Sequence, residues 1–177
     1  DYKTGGVSAK TSPEELVEMV PVIKKFFRVK TRLIANLLSE NMRFEHYNHI
    51  LREIEREIKN NARAIIIGHG TDTMHYTGAA LHYSIKGLNI PIVLVGSQRS
   101  SDRPSTDAWL NLQGAAIFIN KAIKENIGGV FIAMHRDESD KEIEILAAYR
   151  ARKMHTSRRD AFKPINTEPV ALVDIEK

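Results

Sequence analysis

The stretch Ala64-Ile65-Ile66-Ile67-Gly68-His69-Gly70-Thr71-Asp72-Thr73 decides the fold. A run of small and β-branched apolar residues reads as a buried strand, and residues 75–86 have the length and composition of a helix. The turn between them falls at the carboxyl end of that strand, where open α/β sheets bind ligands. Gly68 and Gly70 let the backbone turn sharply, while Thr71 and Asp72 bring a hydroxyl and a carboxylate onto the turn, groups that suit attack on a carbonyl. Glycines for a turn and Thr or Asp as a helix N-cap account for much of the same string without chemistry. A phosphate cradle is the other alternative. It fails because there is no GxxxxGK[ST], Thr73 replaces the third glycine of GxGxxG, and the next strand ends at Gly96-Ser97 without an acidic residue for a ribose.

Working outward, Ser12-Pro13-Glu14-Glu15 carries a capping box, so a helix begins there, with Pro21 bending it or marking a second start. Residues 30–38 read as a strand, followed by the polar turn Ser39-Glu40-Asn41-Met42. From residue 43 to 59, Phe44, Tyr47, Ile50, Leu51, Ile54 and Ile58 recur at helical spacing. Residues 91–96 form the next strand, closed by the polar loop Ser97-Gln98-Arg99-Ser100-Ser101-Asp102-Arg103-Pro104. A helix over about 105–125 and a strand over 129–134 follow. Residues 142–145 alternate as an exposed strand would, and residues 170–174 begin a further element. The alternation predicts a three-layer, doubly wound α/β fold with a mostly parallel sheet of four parallel strands. Three polar turns then share one sheet edge.

At 177 residues and 42% hydrophobic, the chain buries one sizeable core and has no room for two full domains. Its net charge of +4 is a mild basic bias, short of the clustering typical of a nucleic-acid binder. With no cysteine, zinc–thiolate and disulfide chemistry are excluded. There is no span-length apolar run and no signal-peptide pattern, so a cytoplasmic protein is expected. His46 and His49 at i,i+3, with His69, His75 and His82, offer a weak metal pattern, and no metal site is expected. Arg99, Arg103, Arg158 and Arg159 are expected to solvate loops and pair with Asp102, Asp107 and Asp160. Lys153 lies in a basic run; beside a hydroxyl and an aspartate, a buried lysine can serve as a base. The chain opens at Asp1 in a polar stretch, which suggests an incomplete sequence.

His69-Gly70-Thr71-Asp72-Thr73-Met74, the loop from Gly96 to Asp107, and Arg152-Lys153-Met154-His155-Thr156-Ser157-Arg158-Arg159-Asp160-Ala161-Phe162 together resemble the L-asparaginase/glutaminase family. Within it, the last two strings are most similar to the D subunits of archaeal glutamyl-tRNA(Gln) amidotransferases. The resemblance implies the family's N-terminal domain fold and hydrolysis of an amide through an acyl-enzyme on a threonine. It places Thr71, Asp72 and Lys153 in the family's Thr–Asp–Lys set, with Asp72 also holding the substrate α-amino group. It assigns Ser39 to the α-carboxylate, with Glu40, Ser97 and Gln98 as further substrate-binding positions. Tyr2 matches a mobile tyrosine that activates a second threonine, carried by a TGGTI strand expected just upstream of Asp1. The first strand of the domain is therefore expected to be missing, and this exact chain to be impaired as a catalyst. Residues 1–166 would be the α/β domain, and 167–177 the start of a connection to a C-terminal domain.

The resemblance further implies release of ammonia from glutamine or asparagine to a kinase/transferase partner subunit that converts Glu-tRNA(Gln) to Gln-tRNA(Gln). ATP and Mg would belong to that partner, with no cofactor in this chain. Contact with tRNA would be indirect, and a homodimer is expected. A free L-asparaginase and an inactive fragment retaining the fold are the alternative readings.

Overall fold

A computed structural model describes residues 12–18, 20–99 and 106–176. Tyr2 and residues 100–105 of the third loop lie outside them. The elements run α1 (Pro13–Glu18), α2 (Pro21–Phe26), a 3-10 turn (Ser39–Asn41), α3 (Phe44–Lys59), β1 (Ile65–Gly68), α4 (Met74–Ser84), β2 (Pro91–Val95), α5 (Ala108–Lys124) and β3 (Gly129–His135). There follow β4 (Glu142–Ala147), a 3-10 turn (Ala148–Arg150), β5 (Ala151–Lys153), β6 (Phe162–Pro164) and β7 (Ala171–Asp174). The predicted capping box at the chain's first helix is formed: Ser12 N–H donates to Glu15 Oε2 at 2.9 Å, and Glu15 N–H donates to Ser12 Oγ at 3.1 Å.

Among the described residues, the main sheet is ordered β1-β2-β3-β4-β7. β1–β2 and β2–β3 pair in parallel, whereas β3–β4 and β4–β7 are antiparallel. The period-two alternation of strands splits the core across the two faces. Val93, Val95, Phe131, Ala133, Ile143, Ile145 and Val173 pack with α5 and Ile23 of α2. Ile67, Ile92, Leu94, Ile132, Met134 and Leu146 pack with Ile50 and Ile54 of α3, Met74 and Leu81 of α4, and Phe162. Helices therefore cover both faces, giving the expected three layers. No helix among the described residues is long and apolar enough to cross a membrane.

Three sequence expectations are corrected. Residues 30–38 form no strand, so among the described residues three strands run parallel and not four. A strand needs a neighbour for its N–H and C=O groups, and this segment joins no ladder; Leu33 remains 61% exposed. β1 is correspondingly an edge strand among the described residues, its Ile65 and Ile66 only half-buried. Residues 142–147 are an interior strand with Ile143, Glu144, Ile145 and Leu146 buried. The alternation there has a polar residue where the hairpin β5–β6, and not solvent, lies nearby.

Candidate active site

β1 delivers the chain to Gly68, and α4 begins at Met74, so residues 69–73 form the turn at the sheet's carboxyl edge. Its backbone is tied down by His69 N–H donating to Val95 O at 2.9 Å. The imidazole of His69 bridges the turn: Nδ1 lies 2.7 Å from Gly70 O, and Nε2 lies 2.9 Å from Thr77 Oγ1 on α4. A carbonyl only accepts, so Nδ1 carries the proton and the Thr77 hydroxyl donates to Nε2. Burial, the larger influence, pushes the His69 pKa down and favours this neutral form, against the bond to Gly70, which raises it.

Lys153 ends β5 and reaches back over 82 residues of sequence to this turn. Its ammonium donates to Thr71 Oγ1 at 2.9 Å and to Asp72 Oδ1 at 2.8 Å. Thr71 is buried, and the Lys153 side chain is 9% exposed, whereas the Asp72 side chain is 63% exposed and faces outward from the pair. One nitrogen is thus shared between a buried hydroxyl and an open carboxylate. A proton leaving Thr71 Oγ1 has an acceptor within direct reach whenever the amine is neutral, and Asp72 stabilises the ammonium that results.

Ser39 closes the site from the other side. It is 4% exposed, and its Oγ makes no hydrogen bond with the described residues. The 3-10 turn is fixed by Thr73 Oγ1 donating to Ser39 O at 2.8 Å. Gly70 is required here: a Cβ at that position would stand 2.8 Å from both Cβ and Oγ of Ser39. A buried hydroxyl without a protein partner is costly unless another group bonds to it, which makes Ser39 a candidate ligand-binding position.

Of the other expected site residues, Glu40 is exposed beside Ser39, and Ser97 is half-buried at the end of β2. Gln98 Nε2 donates to Thr156 O at 3.4 Å, joining the third loop to the segment that follows Lys153. The structure therefore brings Thr71, Asp72 and Lys153 into direct contact, places Ser39 against Gly70, and ties Gln98 to the same edge. Of the histidines in the weak metal pattern, His46 Nδ1 accepts from Arg43 N–H, His49 Nε2 lies 3.9 Å from Glu53 Oε1, His75 lies against Tyr76 and Phe162, and His82 stacks on Tyr149.

The arginine pairings differ in part from expectation. Arg158 does bind Asp160, through Nε at 2.8 Å and Nη2 at 3.0 Å. Asp107 instead accepts backbone N–H groups, from Gln98 at 3.0 and 3.1 Å and from Arg99 at 2.9 Å. Fully buried at the head of α5, it is surrounded by loop amides at bonding distance, and these satisfy its charge. The sequence reading missed this anchor, and also the His69–Thr77 bridge. The helical i,i+4 spacing of Asp107 and Asn111 was the available signal.

The family model for the N-terminal domain of asparaginase matches residues 1–177. The chain belongs to the asparaginase family. Among curated relatives, the D subunit of the glutamyl-tRNA(Gln) amidotransferase of Methanococcus maripaludis is 44% identical over 174 residues, covering 98% of this chain and 40% of the relative. The corresponding D subunit from Sulfolobus acidocaldarius is 42% identical over 173 residues, with 98% and 38% covered. The thermostable L-asparaginase from Thermococcus kodakarensis superposes with a TM-score of 0.82 at 28% identity, covering 98% of this chain and 50% of that one. The chain thus spans about two-fifths of the length of these curated relatives.

Proposed function

We propose that this chain is the asparaginase-type domain of an amide hydrolase that releases ammonia from the side chain of glutamine or asparagine. The observation that carries the reading is the Lys153 ammonium shared by Thr71 Oγ1 and Asp72 Oδ1 beside the buried, unbonded Ser39 Oγ. A threonine oxygen attacks the amide carbon and forms the acyl ester; the amide nitrogen takes a proton and leaves as ammonia. Water then adds to the ester, giving the free acid and the hydroxyl again. Lys153 passes the proton between Thr71 and the reacting group, Asp72 holds Lys153 and receives the substrate α-ammonium, and Ser39 donates to the α-carboxylate. Glu40, Ser97 and Gln98 complete the substrate side. Tyr2 would supply the mobile tyrosine of the same machinery.

The identity of 42% or more to the amidotransferase D subunits supports the further reading that the whole protein is the glutaminase subunit of a tRNA-dependent amidotransferase. It would pass ammonia to a kinase/transferase subunit that carries the ATP and Mg, meet tRNA only through that complex, dimerise, and work in the cytoplasm. A free L-asparaginase is the second reading, favoured by the superposition on one. Thr71→Ala and Lys153→Met in the complete protein test the site: ammonia release from glutamine should fall by more than about a hundredfold while folding survives. Near wild-type turnover in either well-folded variant would overturn the assigned roles. Glutamine turnover that rises when the partner subunit and Glu-tRNA(Gln) are added supports the amidotransferase reading; turnover indifferent to both favours the free enzyme.

A further inference from the structure

We propose that His135 is a positioning residue for the substrate loop, acting through Asn111 and Asp107 to hold residues 96–99 against Thr71. The proposal rests on the reading of Ser97 and Gln98 as substrate-binding residues. His135, Asn111 and Asp107 are all 0% exposed, and they form one chain of hydrogen bonds on the face of the sheet that α5 covers. None of the three belongs to the Thr71–Asp72–Lys153 set.

Proton bookkeeping fixes the order of donors. Asn111 Nδ2 donates to Gly96 O at 2.9 Å and to Asp107 Oδ2 at 3.2 Å, which uses both of its hydrogens on groups that only accept. Asn111 Oδ1 is therefore the atom that faces His135 Nδ1 at 2.6 Å, and His135 must donate. The ring carries its proton on Nδ1. Its Nε2 lies 3.5 Å from Asp140 Oδ1, whose negative charge favours a protonated ring and is opposed by burial. The charged groups facing the ring come from three places: Asp107 at the N-cap of α5, Asp140 on the β3–β4 turn, and Arg159 after β5. Burial is the largest influence and lowers the His135 pKa, with Arg159 acting the same way against the two aspartates.

The consequence reaches the site through backbone. Asp107 takes the N–H groups of Gln98 and Arg99, and Asn111 donates to the carbonyl of Gly96, so the Asn111 amide holds one of these three anchors directly and the other two through its bond to Asp107. Gly96 is in turn packed on the active turn: a Cβ there would meet His69 O and Thr71 Cγ2, each at 2.8 Å. Without the His135 donor, Asn111 Oδ1 becomes a buried acceptor with no partner. Rotating the amide relieves that cost only by breaking the bonds to Gly96 and Asp107.

The test uses the full-length protein with His135→Leu, which removes the donor, and His135→Asn, whose side-chain amide restores an N–H close to the place of Nδ1. For ammonia release from glutamine and asparagine, His135→Leu should raise KM by about tenfold with kcat changed by less than about threefold, and His135→Asn should recover most of the KM. In the wild-type protein labelled with 15N-histidine, NMR at neutral pH should find His135 as the neutral Nδ1–H tautomer. Unchanged KM in both variants, or an Nε2–H tautomer, would overturn the proposal. If His135→Leu does not fold, the His135→Asn kinetics and the tautomer decide it. If wild-type protein releases no ammonia from either amide, the functional reading falls, and the tautomer alone decides whether the brace exists.

Discussion

Gly70→Ala tests how tightly the Ser39 turn is fitted to the active turn. Gly70 is not among the residues with positive φ, so alanine is compatible with its backbone and the added methyl acts through contact alone. That methyl would stand 2.8 Å from Cβ and Oγ of Ser39 and 3.3 Å from its backbone nitrogen. Carbon atoms pack comfortably at about 3.5–4.0 Å, so one turn must retreat from the other by roughly 0.7 Å or more. Neither is free to do so. Ser39 O is bonded by Thr73 Oγ1 at 2.8 Å and Met42 N–H at 3.1 Å, while His69 pins Gly70 O at 2.7 Å. Overpacking of this kind costs about 1–3 kcal/mol. A displacement approaching 1 Å next to reacting groups costs about a hundredfold in rate. Urea denaturation and ammonia release from glutamine read the two effects separately. In the Ser39→Gly, Gly70→Ala double variant the Cβ and Oγ contacts disappear, so most of the stability should return while activity stays low for want of the Ser39 hydroxyl. A Gly70→Ala protein within about 0.5 kcal/mol of wild type and within threefold in kcat/KM would refute the reasoning.

Gly114→Ala is the matching perturbation away from the site. Its Cβ would fall 2.7–2.8 Å from three atoms of the fully buried Ile143, so chemical denaturation should show a loss of about 1–3 kcal/mol despite alanine's better helix propensity, with kcat/KM of the folded protein unchanged. The pH dependence of stability follows from three histidines, His69, His75 and His135, all held below their ordinary pKa of 6.5 chiefly by burial. Their neutral forms favour the folded state, so this stability is present above about pH 6.5 and is lost as pH falls through each folded-state pKa. Urea midpoints should therefore drop between pH 7.5 and 5.5; a flat or rising profile would contradict the burial of these rings.

The turn after Ile65-Ile66-Ile67 was legible in the sequence because it is local: apolar run, glycines and polar groups are contiguous, and β1, α4, β2, α5 and β3 follow from short-range periodicity. The capping box at Ser12 and Glu15 was legible for the same reason. Strand partners were not. Residues 30–38 have strand-like composition but join no ladder, while residues 142–147, whose pattern matches an exposed strand, lie between β3 and β7. Pairing depends on what lies alongside in space, and that information is absent from a single segment. The site divides similarly. Thr71 and Asp72 were marked by their own turn, but Lys153 in a basic loop reads as a solvated lysine, and only the resemblance raised it. The fold brings it from 82 residues away onto Thr71 and buries its stem. Asp107 was misread as an arginine partner because sequence neighbours suggest ion pairs. Tertiary structure instead surrounds it with the N–H groups of Gln98 and Arg99, and buried carboxylates are stabilised by whichever donors the fold aims at them.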